Sequence, residues 1–133
     1  MIISTKDKVI KYLSDSHEGK IHDYQLLKSV FSPEQNWFKK FIIKVDLGYV
    51  GIKKEYASIY IAIPHKKTKL TPLTASQKDD NKKMAAERIN VEHSIGGMKR
   101  YRILSDRLRI HLIDFYDDVL GVCAGLWNFY LAN

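Results

Sequence analysis

Two short β-favouring runs open the chain. Met1 to Ser4 and Val9 to Leu13 flank the polar Thr5-Lys6-Asp7-Lys8, a pattern that predicts a hairpin with no glycine in its turn. Ser14 to Lys20 is polar and reads as a loop. Beyond it, Asp23 is placed to cap a helix whose Leu26, Leu27, Val30 and Phe31 share one face, and Pro33 closes the helical region. Phe41-Ile42-Ile43-Lys44-Val45 is nearly continuous in apolar residues up to Asp46, the pattern of a strand covered on both faces. After a turn at Gly48 and Gly51, Ile59-Tyr60-Ile61-Ala62-Ile63 repeats that pattern and stops at Pro64. The spacing allows these two strands to pair directly or through a short crossover.

From Lys66 to Pro72 the chain is basic and extended, and Thr74 can cap a helix beginning near Ala75. That helix is polar at first, then brings Met84, Ile89, Val91, Ile95 and Met98 toward apolar contacts. Gly96 and Gly97 each cost about 0.8–1.0 kcal/mol relative to Ala within a helix, so a kink or break is expected there. Asp114 can start a last helix in which Tyr116, Val119, Leu120, Cys123, Leu126, Trp127 and Tyr130 repeat at the spacing of one buried stripe. Such a stripe belongs to a core or a partner surface. With no internal repeat, low-complexity tract or linker, residues 1–133 read as a single α/β domain.

The apolar share of 45% and charged share of 28% are those of an ordinary globular chain, which excludes disorder over the whole length. Charge is less ordinary. Residues 64–107 hold eleven Lys or Arg against five Asp or Glu, and so carry six of the net +7. A basic stretch confined to one third of a domain suits a polyanion, although a solvated helix face has the same composition. Cys123 is the only cysteine, which rules out an internal disulfide and fits a small buried hydrophobe in a reducing compartment. None of the five histidines, His17, His22, His65, His93 and His111, has the spacing of a zinc site with Cys123. His22 is better suited to supporting the turn before the Asp23 helix. No basic-then-apolar leader follows Met1 and no apolar run is long enough to span a bilayer, so a cytoplasmic protein without a membrane partner is expected.

Arg88, Glu92 and Lys99 are four and seven residues apart and share a helix face. An Arg88–Glu92 ion pair at i and i+4 accounts for the first two on structural grounds alone. Asp46 is different, because a carboxylate after five mainly apolar residues must find hydrogen bonds, a cation or a metal. The C-terminal ends of strands in open α/β sheets are also where ligands bind.

These residues carry a resemblance. Gly19-Lys20-Ile21-His22-Asp23, Val45-Asp46-Leu47-Gly48-Tyr49-Val50-Gly51, Ile63-Pro64-His65-Lys66-Lys67, Leu73-Thr74 with Asn81, and Arg88 through Arg100 with its Arg-x3-Glu-x6-Lys spacing resemble the insertion-sequence and Harbinger-like branch of DDE transposases. The resemblance covers nearly the whole chain. It implies a ribonuclease H-like mixed sheet with flanking helices, here missing its first strand, in an N-terminally truncated catalytic domain. It further implies three acidic residues holding two divalent ions, with Asp46 as the second acid and Glu92 as the third. Oxygen ligands favour Mg²⁺ or Mn²⁺. Such ions clamp the attacking and leaving oxygens at a phosphodiester and lower the pKa of a bound water. Arg88 and Lys99 would contact DNA phosphates or steady Glu92, with Arg100, Lys66 and Lys67 as further DNA-binding cations.

Two departures stand out. Ala85 occupies the position where the family has a Tyr three residues before the Arg, and the family's first catalytic Asp belongs upstream of everything present, Asp7 and Asp15 being wrongly placed to replace it. The expected function is metal-dependent DNA strand cleavage and transfer in transposition. The expected partners are element ends and target DNA, an upstream segment or an intact transposase, and a second copy in a homo-oligomer. The alternative is a non-catalytic DNA-binding or regulatory remnant.

Overall fold

The computed structural model describes residues 1–17, 21–68, 70–106 and 113–133. The end of the Ser14–Lys20 loop with Gly19 and Lys20, the basic residues Lys69 and Arg107, and His111 lie outside the described residues. The architecture is mixed α/β, with two small sheets and several helices. The chain divides into two compact units, one made of Met1–Glu18 with Glu87–Asn133 and the other of Gly19–Ala86.

In the first unit, β1 (Ile2–Ser4) and β2 (Ile10–Leu13) form the expected antiparallel hairpin, with Ile2 opposite Leu13 and Ile3 opposite Tyr12. Lys8 supplies the left-handed turn residue, at φ 67°, in place of a glycine. Its carbonyl is held from two helices, accepting from Ser94 Oγ at 2.9 Å and from Trp127 Nε1 at 3.0 Å. The Asn128 amide brackets Ile10, accepting from its N–H and donating to its carbonyl at 2.8 Å each. Those two bonds satisfy backbone groups that would otherwise be stranded at a strand edge. The core is Ile10, Met98, Cys123, Ala124 and Trp127, with Ile2, Leu13, Tyr101, Leu104, Val119, Leu120 and Leu131 packed around it.

The helices depart from expectation in two places. The long helix α3 (Ala75–Lys99) runs unbroken, with no break at Gly96 or Gly97. A Cβ on Gly97 would lie 2.4–2.5 Å from the Trp127 ring, so this glycine allows a close approach between helices and does not end one. After the short α4 (Arg102–Ser105), α5 (Ile113–Ala132) buries Cys123, Ala124 and Trp127. Leu126 and Tyr130 from the expected stripe are exposed, because the buried face is centred closer to Ala124 than the spacing suggested. No helix among the described residues is long and apolar enough to cross a membrane.

In the second unit, α1 (Asp23–Val30) buries Leu26 and Leu27. Its N-cap is His22, whose Nδ1 accepts from the Tyr24 N–H at 3.4 Å, and Asp23 is the first helical residue and not the cap. β3 (Ile42–Lys44) and β4 (Tyr60–Ala62) pair in parallel, with Ile43 opposite Ile61. The crossover between them is a 3-10 turn at Leu47–Tyr49 followed by α2 (Ile52–Glu55), entered through Gly51 at φ 106°. A parallel pair requires such a crossover, which decides the alternative left open by the spacing. Ile52, Tyr56, Ile61 and Ala62 are buried, and the Phe38 ring packs at a tilt against both Phe31 and Tyr56. Lys28 and Glu55 join α1 to α2 at 2.9 Å. Phe41 and Ile42 are 59% and 60% exposed, so β3 is not covered on both faces by the described residues. Apolar sequence reports what a strand demands of its surroundings, and the described residues meet that demand only at Ile61 and Ala62 of β4.

Candidate functional site

Asp46 follows β3 by two residues and caps the 3-10 turn, its Oδ1 accepting from the Gly48 N–H at 2.8 Å. Asp side chains favour this local turn because the carboxylate reaches the backbone two residues on. The half-buried carboxylate is thereby oriented at the C-terminal end of a parallel strand. A Cβ placed on Gly48 would stand 3.0 Å from Asp46 Oδ1 and 3.8 Å from Asp23 Oδ2, so both carboxylates border the same small space. Asp23 holds its negative charge in the first turn of α1, where the helix dipole favours it.

Tyr49 registers that environment. Burial, and then the charges of Asp23 and Asp46, push its hydroxyl from the ordinary 10.0 up to about 12. A phenol whose folded pKa is raised stabilises the fold fully below its unfolded value, and that contribution is lost as pH climbs from 10 toward 12. In an ultraviolet titration referenced to Tyr49→Phe, Tyr49 is expected to ionise later than the exposed tyrosines. Asp46→Asn should bring it down part of the way, burial keeping it above 10. An unshifted Tyr49 in Asp46→Asn would show that the carboxylate does not act on this space.

Glu92 sits exposed on α3, with its Oε1 3.6 Å from an Arg88 guanidinium nitrogen, the i, i+4 pair expected from the spacing. At this exposure such a pair contributes at most about 0.2–0.5 kcal/mol, so it orients Glu92 more than it stabilises the helix. Lys99 is the last residue of α3 and is exposed. Arg100 lies over the rings of Tyr130, at 4.7 Å, and Trp127, at 5.8 Å. Its guanidinium is thus set against α5 while the residue remains exposed. Lys66 and Lys67 are exposed in the segment after β4.

The structure therefore joins Glu92 to Arg88 and Arg100 to two aromatic rings, and sets Asp46 and Asp23 around the same space at Gly48. Asp46, Lys66 and Lys67 belong to the Gly19–Ala86 unit, while Arg88, Glu92, Lys99 and Arg100 belong to the other. Among the described residues, no group of three or more His, Cys, Asp or Glu is arranged to hold a metal ion. The donors that are present, carboxylate oxygens, are of the type that hard divalent cations take. Asp23 is a candidate beside Asp46 that sequence reasoning did not single out. Its position before an amphipathic run marks a helix start, and only the return of the chain through the β3–β4 crossover brings that helix start to Asp46.

Comparison with known proteins gives two findings. A family model described as "DDE superfamily endonuclease" matches residues 1–128. The probable transposase for insertion sequence element IS702 from Microchaete diplosiphon is 32% identical over 115 residues, which is 86% of this chain and 40% of that protein. The chain thus spans two fifths of the length of this relative. No solved structure matches.

Proposed function

The chain belongs to the DDE superfamily endonucleases, and from that premise we propose that it forms the later part of a transposase catalytic domain cutting and joining DNA strands at the ends of a mobile element. The observation that carries this reading is Asp46: a half-buried carboxylate oriented by the Gly48 N–H at the end of a parallel strand, with Asp23 beside it. In this reading Asp46 and Glu92 are metal-holding acids of a ribonuclease H-like site, and Arg88 keeps the Glu92 carboxylate in place. Asp46 and Glu92 would hold Mg²⁺ or Mn²⁺, which would supply polarisation of the scissile phosphodiester and activation of the attacking oxygen, a water in cleavage and a strand's 3′-hydroxyl in joining. Lys99, Arg100, Lys66 and Lys67 hold DNA phosphates and take no part in proton transfer.

The first acid of the set comes from a segment upstream of these residues. Supporting this is the state of the β3–β4 pair, a two-stranded sheet among the described residues in which Ile42 and Tyr60, with the flanking Phe41 and Ile59, are exposed. Parallel strands are ordinarily covered on both faces, and a two-stranded unit has little independent stability. A further strand beside β3 completes the sheet and brings the missing carboxylate.

The test is to co-express the 133-residue chain with the corresponding upstream part of a related transposase and assay nicking of DNA carrying element ends. Mg²⁺-dependent nicking that disappears in Asp46→Ala and in Glu92→Ala supports the proposal. Nicking indifferent to both substitutions overturns it, and DNA binding unaffected by Asp46→Ala, without any gain in solubility or cleavage, favours a regulatory fragment instead.

A further inference from the structure

Asn81 lies in the polar first half of α3, yet its side chain is fully engaged away from its own helix. Its Oδ1 accepts from the His65 backbone N–H at 2.8 Å and its Nδ2 donates to the His65 carbonyl at 3.0 Å. One amide thus satisfies both backbone groups of a residue sixteen positions earlier, as a neighbouring strand would. The adjacent residue on the helix adds a second tie, Asp80 Oδ2 standing 3.8 Å from His65 Nε2. All these groups belong to the Gly19–Ala86 unit.

The segment held this way is basic. Lys66 and Lys67 follow His65 immediately, both are exposed, and neither shares an ion pair among the described residues. On α3, Lys78 and Lys82 flank Asn81 at i−3 and i+1 and likewise share no ion pair among the described residues, whereas Lys83 is tied to Asp79 at 2.7 Å. Like charges gathered without counter-charges repel, and an irregular segment free to move would spread them. An amide clamp at the root of Lys66 and Lys67 ties their backbone to the stretch of α3 that carries Lys78 and Lys82. That arrangement matches a polyanion with regularly spaced charges and lowers the ordering cost of contacting it.

We infer that Asn81 is a positioning residue for DNA, which fixes the His65 backbone so that Lys66 and Lys67 meet the phosphates of the duplex together with Lys78 and Lys82. This rests on the reading of the chain as one that acts on DNA and adds to it a residue that touches neither DNA nor metal.

The experiment is a double-mutant cycle on the full chain, binding a DNA duplex in EDTA so that no cleavage occurs, across about 50–200 mM salt. Lys66→Ala with Lys67→Ala should reduce the slope of log affinity against log salt by about 1.8, that is about 0.9 for each phosphate no longer neutralised. Over that salt range, wild type should then fall in affinity by about tenfold more than the lysine variant does. Asn81→Ala should weaken binding and flatten the slope in the same direction with both lysines present, and change neither once they are gone. Should Asn81→Ala fail to fold, Asn81→Ser carries the same cycle. Equal losses from the Asn81 substitution in both backgrounds, or no loss in either, overturn the inference, as does a wild-type chain without measurable affinity for duplex DNA. A chain that binds through Asn81 but never nicks in the complemented assay upholds this inference and overturns the cleavage proposal alone.

Discussion

Trp127→Ala is expected to remove about 3–5 kcal/mol from the unit built on the hairpin, α5 and the end of α3, a large part of the roughly 5–15 kcal/mol that holds a domain folded. The Trp127 ring is buried at the centre of that core and lies against the bare backbone of Gly97. Its Nε1 also donates to the Lys8 carbonyl, but Ser94 Oγ still bonds that oxygen in the variant. The destabilisation therefore comes mainly from the cavity and the missing apolar packing, with little cost from an orphaned carbonyl. Chemical denaturation followed by far-ultraviolet circular dichroism measures it. The reciprocal change acts on the same contact. Gly97→Val brings a Cβ to 2.4–2.5 Å from the ring. Overpacking of this kind costs about 1–3 kcal/mol, against at most about 1 kcal/mol gained in helix propensity. Stabilisation by Gly97→Val would show that the ring is not seated against that glycine.

In a complemented, cleaving assembly, Asp46→Ala is expected to lower metal-dependent nicking by at least about 10²-fold, since even outer partners of a metal site typically cost about 10–100-fold. Affinity for DNA in the absence of metal should change little, because the Asp46 carboxylate serves its own turn, accepting from the Gly48 N–H. Glu92→Ala should cost as much, and the double variant hardly more, because ligands of one site act as a unit. Glu92→Ala also releases the Arg88 guanidinium from the carboxylate it pairs with, so DNA affinity should rise slightly or hold. A fall in metal-free affinity matching the fall in nicking would instead mark both acids as structural.

Much of the local structure is readable from residue pattern. The hairpin, both parallel strands, the Thr74 start of α3 and the run of α5 follow from alternation, apolar runs and capping residues. At Thr74 the capping box is explicit: its Oγ1 accepts from the Gln77 N–H at 3.2 Å while Gln77 Oε1 accepts from the Thr74 N–H at 3.0 Å. The Arg88–Glu92 pair is equally readable, because i, i+4 geometry is internal to one helix.

What pattern does not supply are the meetings between elements. Gly97 reads as a helix breaker because propensity counts only the cost to its own helix, whereas the Trp127 ring makes that position one where any Cβ collides. Asp23 reads as a cap, and Asn81 as one more polar residue on a solvated face. Chain reversal brings Asp23 to Asp46, and the return of β4 toward α3 brings His65 to Asn81. Periodicity along a chain reports forces that act within a turn or a strand. Contacts between residues far apart in sequence depend on how whole elements pack, and no spacing rule encodes that. The sequence by itself therefore determined most of the elements, the basic stretch and the family, and the tertiary structure alone decided which carboxylate stands beside Asp46 and which amide holds the backbone at the lysines.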